Sequence, residues 1–141
     1  MKLAKLLEDS EQIITKSNNK TLVEEVLNFH FGLENGVDEF YLTEEDEKLY
    51  IYIIEQNKFW FLALAQDEEI IVETYKLENL ERISQKQKVV IDEKEIIIGS
   101  WLVQLKFRNE EWINLFVEKQ SKEIEKQERF KKFYKKLKNY V

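Results

Sequence analysis

The sequence predicts a mainly β domain, α+β by content. The expected architecture is an antiparallel β-barrel of about seven strands, preceded by one helix and followed by a C-terminal amphipathic helix. Three observations carry this expectation. Apolar and polar residues alternate in short runs from about residue 38 to residue 117, with turn signals at the spacing of about 8–12 residues typical of sandwiches and barrels. Near Ser121 the apolar period changes from that of a strand to that of a helix. The 141 residues are 43% hydrophobic and 13% aromatic, which excludes a disordered chain and supplies a core without staples. Residues 1–20 are expected as an N-terminal helical extension, and 21–141 as the barrel with its helix, in one domain overall.

Each element has a local reason. Leu3, Leu6, Leu7, Ile13 and Ile14 lie roughly on one face of a helix over 2–16. Ser17-Asn18-Asn19 is a polar break. Segment 20–33 fits two periods. Leu22, Val23, Val26, Leu27 and His30 suit a helix, whereas Leu27, Phe29, Phe31 and Leu33 alternate like a strand. The favoured reading is a short helical turn near 20–25, then a strand over 26–33. Glu34-Asn35-Gly36 is expected to turn, because Asn-Gly tolerates positive φ.

Phe40 and Leu42 begin a strand, and residues 43–47 read as an acidic loop. Leu49, Ile51 and Ile53 alternate with Tyr50, Tyr52 and Ile54. Glu55-Gln56-Asn57-Lys58 reads as a hairpin turn, from which Phe59, Phe61 and Ala63 return antiparallel. Gln66-Asp67-Glu68-Glu69 is the next turn. Strands are expected over 70–75, around 83–91 and over 96–98, with a short irregular connection at Leu77 and Leu80 and a break at Gly99-Ser100. Trp101, Val103, Leu105 and Phe107 give the cleanest alternation in the chain. A turn at Arg108-Asn109-Glu110-Glu111 leads to a last strand over 112–117. Ser121 is expected to cap the final helix, with Glu123 near its positive end. Ile124, Phe130, Phe133, Tyr134, Leu137 and Val141 fall at helical intervals, a stripe suited to capping an open barrel end.

This order of about seven strands and one terminal helix resembles the pleckstrin-homology (PH)-like barrel, which the GRAM domain shares. The hairpin Leu49-Tyr50-Ile51-Tyr52-Ile53 to Phe59-Trp60-Phe61-Leu62 is similar to an aromatic-rich hairpin of bacterial PH-like domains. The connection Tyr75-Lys76-Leu77-Glu78-Asn79-Leu80-Glu81-Arg82-Ile83 and the ending from Leu102 through Trp112 into the helix are similar too. The resemblance covers about residues 26–141. It implies a non-catalytic binding module for lipid headgroups, peptides or protein surfaces. Lipid-binding members cluster Lys and Arg on the loop between the first strands. Here residues 34–47 hold seven acidic residues and no basic one, which argues against a phosphoinositide.

Charge and composition narrow the function classes further. The formal charge is −6, from 22 basic and 28 acidic residues. Residues 1–117 carry a net −11, and residues 118–141 a net +5. An acidic body argues against general nucleic-acid binding. The chain has no Cys, which removes disulfides, thiolate metal sites and thiol nucleophiles, and only three Gly, which argues against a phosphate-cradling loop. No secretory leader and no stretch of 18 apolar residues is read, so a cytoplasmic protein without a transmembrane segment is expected, and the Lys-, Asn- and Ile-rich usage points to an AT-rich bacterial genome. No cofactor, metal site or catalytic residue is expected.

His30 is the one His, set between Phe29 and Phe31, and reads as structural. A small-ligand carrier or enzyme would need a cavity around it. The acidic run 43–47 reads as a solvated loop rather than a cation site, since EF-hand spacing is missing. Strands 48–55 and 58–65 are apolar on both faces, and one face of a simple barrel should be polar. The surplus points to a cover: helix 2–16, a second copy, or another protein. Tyr50, Tyr52, Trp60 and Leu62 are the candidate interaction residues for a protein or peptide partner, including self-association. Lys131, Lys132, Lys135 and Lys136 are the candidates for an alternative, anionic membrane or nucleic-acid surface binding.

Overall fold

The computed structural model describes residues 3–10, 17–32, 34–45, 48–64, 69–93, 95–116 and 124–141. Ile13 and Ile14, the end of the acidic run at 46–47, the turn at 66–68, Val117 and the cap at Ser121 lie outside the described residues. The chain is mainly β: two antiparallel sheets of four and three strands, with three helices. The ladders leave both sheets open and close no barrel among the described residues. In each sheet, neighbours in sequence are neighbours in the ladder. The chain forms two compact units, Met1–Tyr75 and Lys76–Val141. The first carries a net −11 and the second a net +5.

In the first unit, α1 (Leu3–Ser10) and α2 (Ser17–His30) precede β1 (Glu39–Glu45), β2 (Lys48–Glu55), β3 (Lys58–Leu64) and β4 (Ile71–Lys76), which ends at the unit boundary. Residues 26–30 of the strand expected over 26–33 instead end α2, and Leu33 lies outside the described residues. Val23, Val26 and Leu27 are buried at helical spacing, while Phe29 faces water at 85% exposure. That one exposed aromatic imitates a strand's alternation. Gly32 ends the helix in the left-handed region at φ +78°, donating to the carbonyls of Leu27 and Asn28 at 3.3 and 3.2 Å. The positive φ expected at Asn35-Gly36 therefore falls at Gly32. Asn35 donates its side-chain amide to the Phe31 carbonyl, and its own carbonyl accepts the Leu3 N–H at 3.2 Å.

The hairpin turn at 55–58 forms as expected. Gln56 and Asn57 both have positive φ, the requirement of a two-residue turn matched to strand twist. The acidic run expected as a loop over 43–47 begins in a strand. Thr43, Glu44 and Glu45 belong to β1, paired with Tyr50, Leu49 and Lys48. One sheet face carries Phe40, Leu42, Leu49, Ile51, Ile53, Leu62 and Leu64. They pack in a single core with Leu3 of α1 and with Val23, Val26, Leu27 and Phe31 of the α2 segment. Full burial of each large aliphatic side chain contributes roughly 1.5–3 kcal/mol. The other face is a ladder of rings: Tyr41 on Tyr52 at 6.3 Å, Tyr52 on Phe61 at 5.6 Å, and Tyr50 on Phe61 at 6.1 Å.

In the second unit, a 3₁₀ turn (Leu77–Asn79) leads into β5 (Leu80–Asp92), β6 (Glu95–Phe107), β7 (Trp112–Phe116) and α3 (Ile124–Lys138). Gly99-Ser100 does not break the strand. β6 runs through it, and the register shift between Lys86 and Gln87 absorbs one extra residue as a bulge. β7 pairs only with 102–106, so β5 and β6 continue past it as a two-stranded ribbon from Gln87↔Ser100 to Asp92↔Glu95. Val103, Leu105, Phe107, Ile113 and Leu115 are buried, as is the α3 stripe Phe130, Phe133 and Leu137.

Helix and strand make opposite claims about residues 27 and 29. We expect Leu27→Ala to lower unfolding free energy by about 2–5 kcal/mol, and Phe29→Ser to change it by no more than about 0.5 kcal/mol. Urea unfolding checks this. Equal losses would restore the strand reading, in which both side chains share a face.

Candidate interaction surfaces

The apolar surplus of the β2–β3 hairpin is largely met within the first unit. Leu62 is fully buried in the core shared with α1 and α2. Tyr52 is also fully buried, among the rings of Tyr41, Phe59 and Phe61. Neither side chain presents surface. Tyr50 and Trp60 are half-buried. Trp60 packs edge-on against Phe31 at 4.6 Å, and its buried indole Nε1 has no hydrogen-bond partner. His30 is exposed at the end of α2, with its ring 4.9 Å from that of Phe29 and 6.1 Å from that of Trp60. The structure thus joins His30 and Trp60 in one aromatic cluster, a proximity that follows from α2 being helical to its end.

The lysines of α3 separate by face. Lys131, Lys132 and Lys135 are exposed and Lys136 is half-buried, while Phe130, Phe133 and Leu137 point inward. The helix therefore offers charge, and its apolar stripe is already used. Tyr134 stacks on Phe130 at 5.8 Å, and the Lys138 ammonium lies 4.8 Å from the Tyr134 ring centre. Burial pushes the Tyr134 phenol above the ordinary tyrosine range.

A third surface escaped the sequence reading. On the ribbon of β5 and β6, Val89, Ile91 and Ile96 are 58%, 77% and 69% exposed. Val89 pairs with Ile98, and Ile91 pairs with Ile96. Side chains alternate along a strand, so Gln87, Val89, Ile91 and Ile96 share one face with no charged residue on it. The ribbon's charged positions 88, 92 and 95 fall in the other parity. This alternation is present in the sequence, yet it cannot say whether the apolar face is covered. That depends on β7 being five residues long against thirteen in β5 and β6.

Two further absences hold among the described residues. No group of three or more His, Asp or Glu side chains is close enough to hold a metal ion. No helix is long and apolar enough to cross a membrane.

The Tyr134 shift has a testable sign. The folded pKa lies above the unfolded one, so the phenol has no effect on stability below the ordinary tyrosine range and lowers it as pH rises through the folded value. We expect the urea midpoint to fall above about pH 10, and to fall less in Tyr134→Phe. Parallel curves for the two proteins would remove Tyr134 from the alkaline transition. No protein-family model, curated protein or solved structure matches this chain.

Proposed function

We propose that the chain is a non-catalytic interaction module of PH-like architecture that binds a protein or peptide. One observation carries the reading: an uncharged ribbon face holds Val89, Ile91 and Ile96 largely in water. Single exposed apolar residues are ordinary, but a contiguous patch on a projecting strand pair marks an interaction site. Seven strands in two antiparallel sheets followed by a C-terminal helix support the PH-like assignment. The acidic balance of residues 34–47 favours a protein partner over an anionic headgroup.

A photo-crosslinking residue at Ile91 in the full chain tests this reading. We expect adducts joining Ile91 to a second polypeptide chain at a defined site, and their loss when Val89→Lys is added. Adducts confined to the chain itself would overturn the reading.

A second reading is favoured by the exposure of Lys131, Lys132 and Lys135 on one helix: attachment to anionic surfaces. It predicts binding to phosphatidylserine vesicles that weakens at least tenfold between about 50 and 200 mM salt. Salt-independent binding, or none, would remove it.

A further inference from the structure

We infer that the partner of the ribbon is a second copy of this chain, joined antiparallel along the outer edge of β5 about a two-fold axis at Val89. This rests on the interaction-module reading and names its partner.

β5 is an edge strand of thirteen residues, and its distal half belongs to a two-stranded ribbon. Such a ribbon is marginal in water, and a long edge is a template for another strand. Lysines on an edge ordinarily deter pairing. Here the order of charges makes the edge complementary to itself. The segment reads Lys86-Gln87-Lys88-Val89-Val90-Ile91-Asp92, basic at one end and acidic at the other. Reversing a second copy about Val89 sets Val89 against Val89, Gln87 against Ile91, and the Lys86 position against the Asp92 position at both ends.

Neighbouring registers are worse. An axis at Lys88 sets that lysine against itself, and an axis at Val90 sets Lys88 against Asp92 but joins only residues 88–92 of β5, against 86–92 for the Val89 axis. Axes between residues join the uncharged face of one copy to the charged parity of the other, because a one-residue slip exchanges the faces. The Val89 register avoids like charges, keeps the apolar face continuous across the join and pairs the longer stretch of β5. A two-fold contact of this kind is the commonest closed assembly.

The test is the mass of the full chain by light scattering, from micromolar to submillimolar concentration. We expect a monomer–dimer equilibrium in the wild type. Lys86→Asp and Asp92→Lys should each weaken it by about tenfold or more, since like charges then face each other twice. The double swap, Lys86→Asp with Asp92→Lys, should restore it to within about threefold. Circular dichroism and urea midpoints establish that each variant is folded; a charge variant that unfolds is replaced by Lys86→Gln or Asp92→Asn, which should weaken association by a smaller factor.

A chain that stays monomeric throughout, a dimer that neither single swap weakens, or a double swap that fails to rescue would each overturn the inference. A monomeric chain whose Ile91 crosslinks to a foreign protein would overturn this inference alone and leave the interaction-module reading standing. A monomeric chain with no adduct to another polypeptide would remove both.

Discussion

The burial of both faces of the β2–β3 hairpin is the constraint on which the first unit depends. Ile51, Ile53 and Leu62 face one way, and Tyr52, Ile54 and Phe59 face the other, all fully buried. A sheet with two apolar faces requires cover on each. On the aliphatic face that cover is α2, with Leu3 of α1 completing the core. The other requirements of the N-terminal region follow from this. α2 must reach far enough to place Phe31 against Trp60, and the chain must then reverse to begin β1. Gly32 performs the reversal in a conformation that other residues adopt only with strain. A Cβ there would also come within 3.2 Å of the Asn35 side chain, which holds the end of the helix.

The strands were legible because their signals are local. Tyr50 and Tyr52 alternating with Leu49, Ile51 and Ile53 specify a pleated segment, and the Gln56-Asn57 turn pins its register to β3. The terminal helix was legible for the same reason, through the spacing of Phe130, Phe133 and Leu137. Segment 26–33 misled because a solvent-facing Phe29 supplied a false period of two. Local hydrophobicity cannot reveal that an aromatic residue is spent on the surface. Gly99-Ser100 misled differently: a weak point in a strand can end it or become a bulge, and only the partner strand decides. Of the candidate residues, Tyr52 and Leu62 were identified by apolar excess, which marks a core as readily as an interface. The ribbon was missed because its exposure arises from a mismatch in strand lengths.

Charge follows the structural division closely. The first unit holds 17 acidic and six basic residues, and the second 11 acidic and 16 basic. The β5 edge lies in the less charged part of the second unit, since residues 76–117 are balanced at seven of each sign. Within the second unit, net charge therefore adds little repulsion at that edge, and screening at physiological salt confines unpaired charges to about 8 Å.

The sequential order of the ladders has a kinetic consequence. Within each sheet every strand pairs with a neighbour in the chain, so no ladder has to wait for distant segments to meet. The loops that must close are short, and their closure entropy grows only slowly with length. Each unit holds a local hairpin, β2–β3 in one and β5–β6 in the other, whose strands meet across a short turn. Ladders between chain neighbours avoid the closure cost of distant strand pairing, the cost that makes non-local β topologies slow.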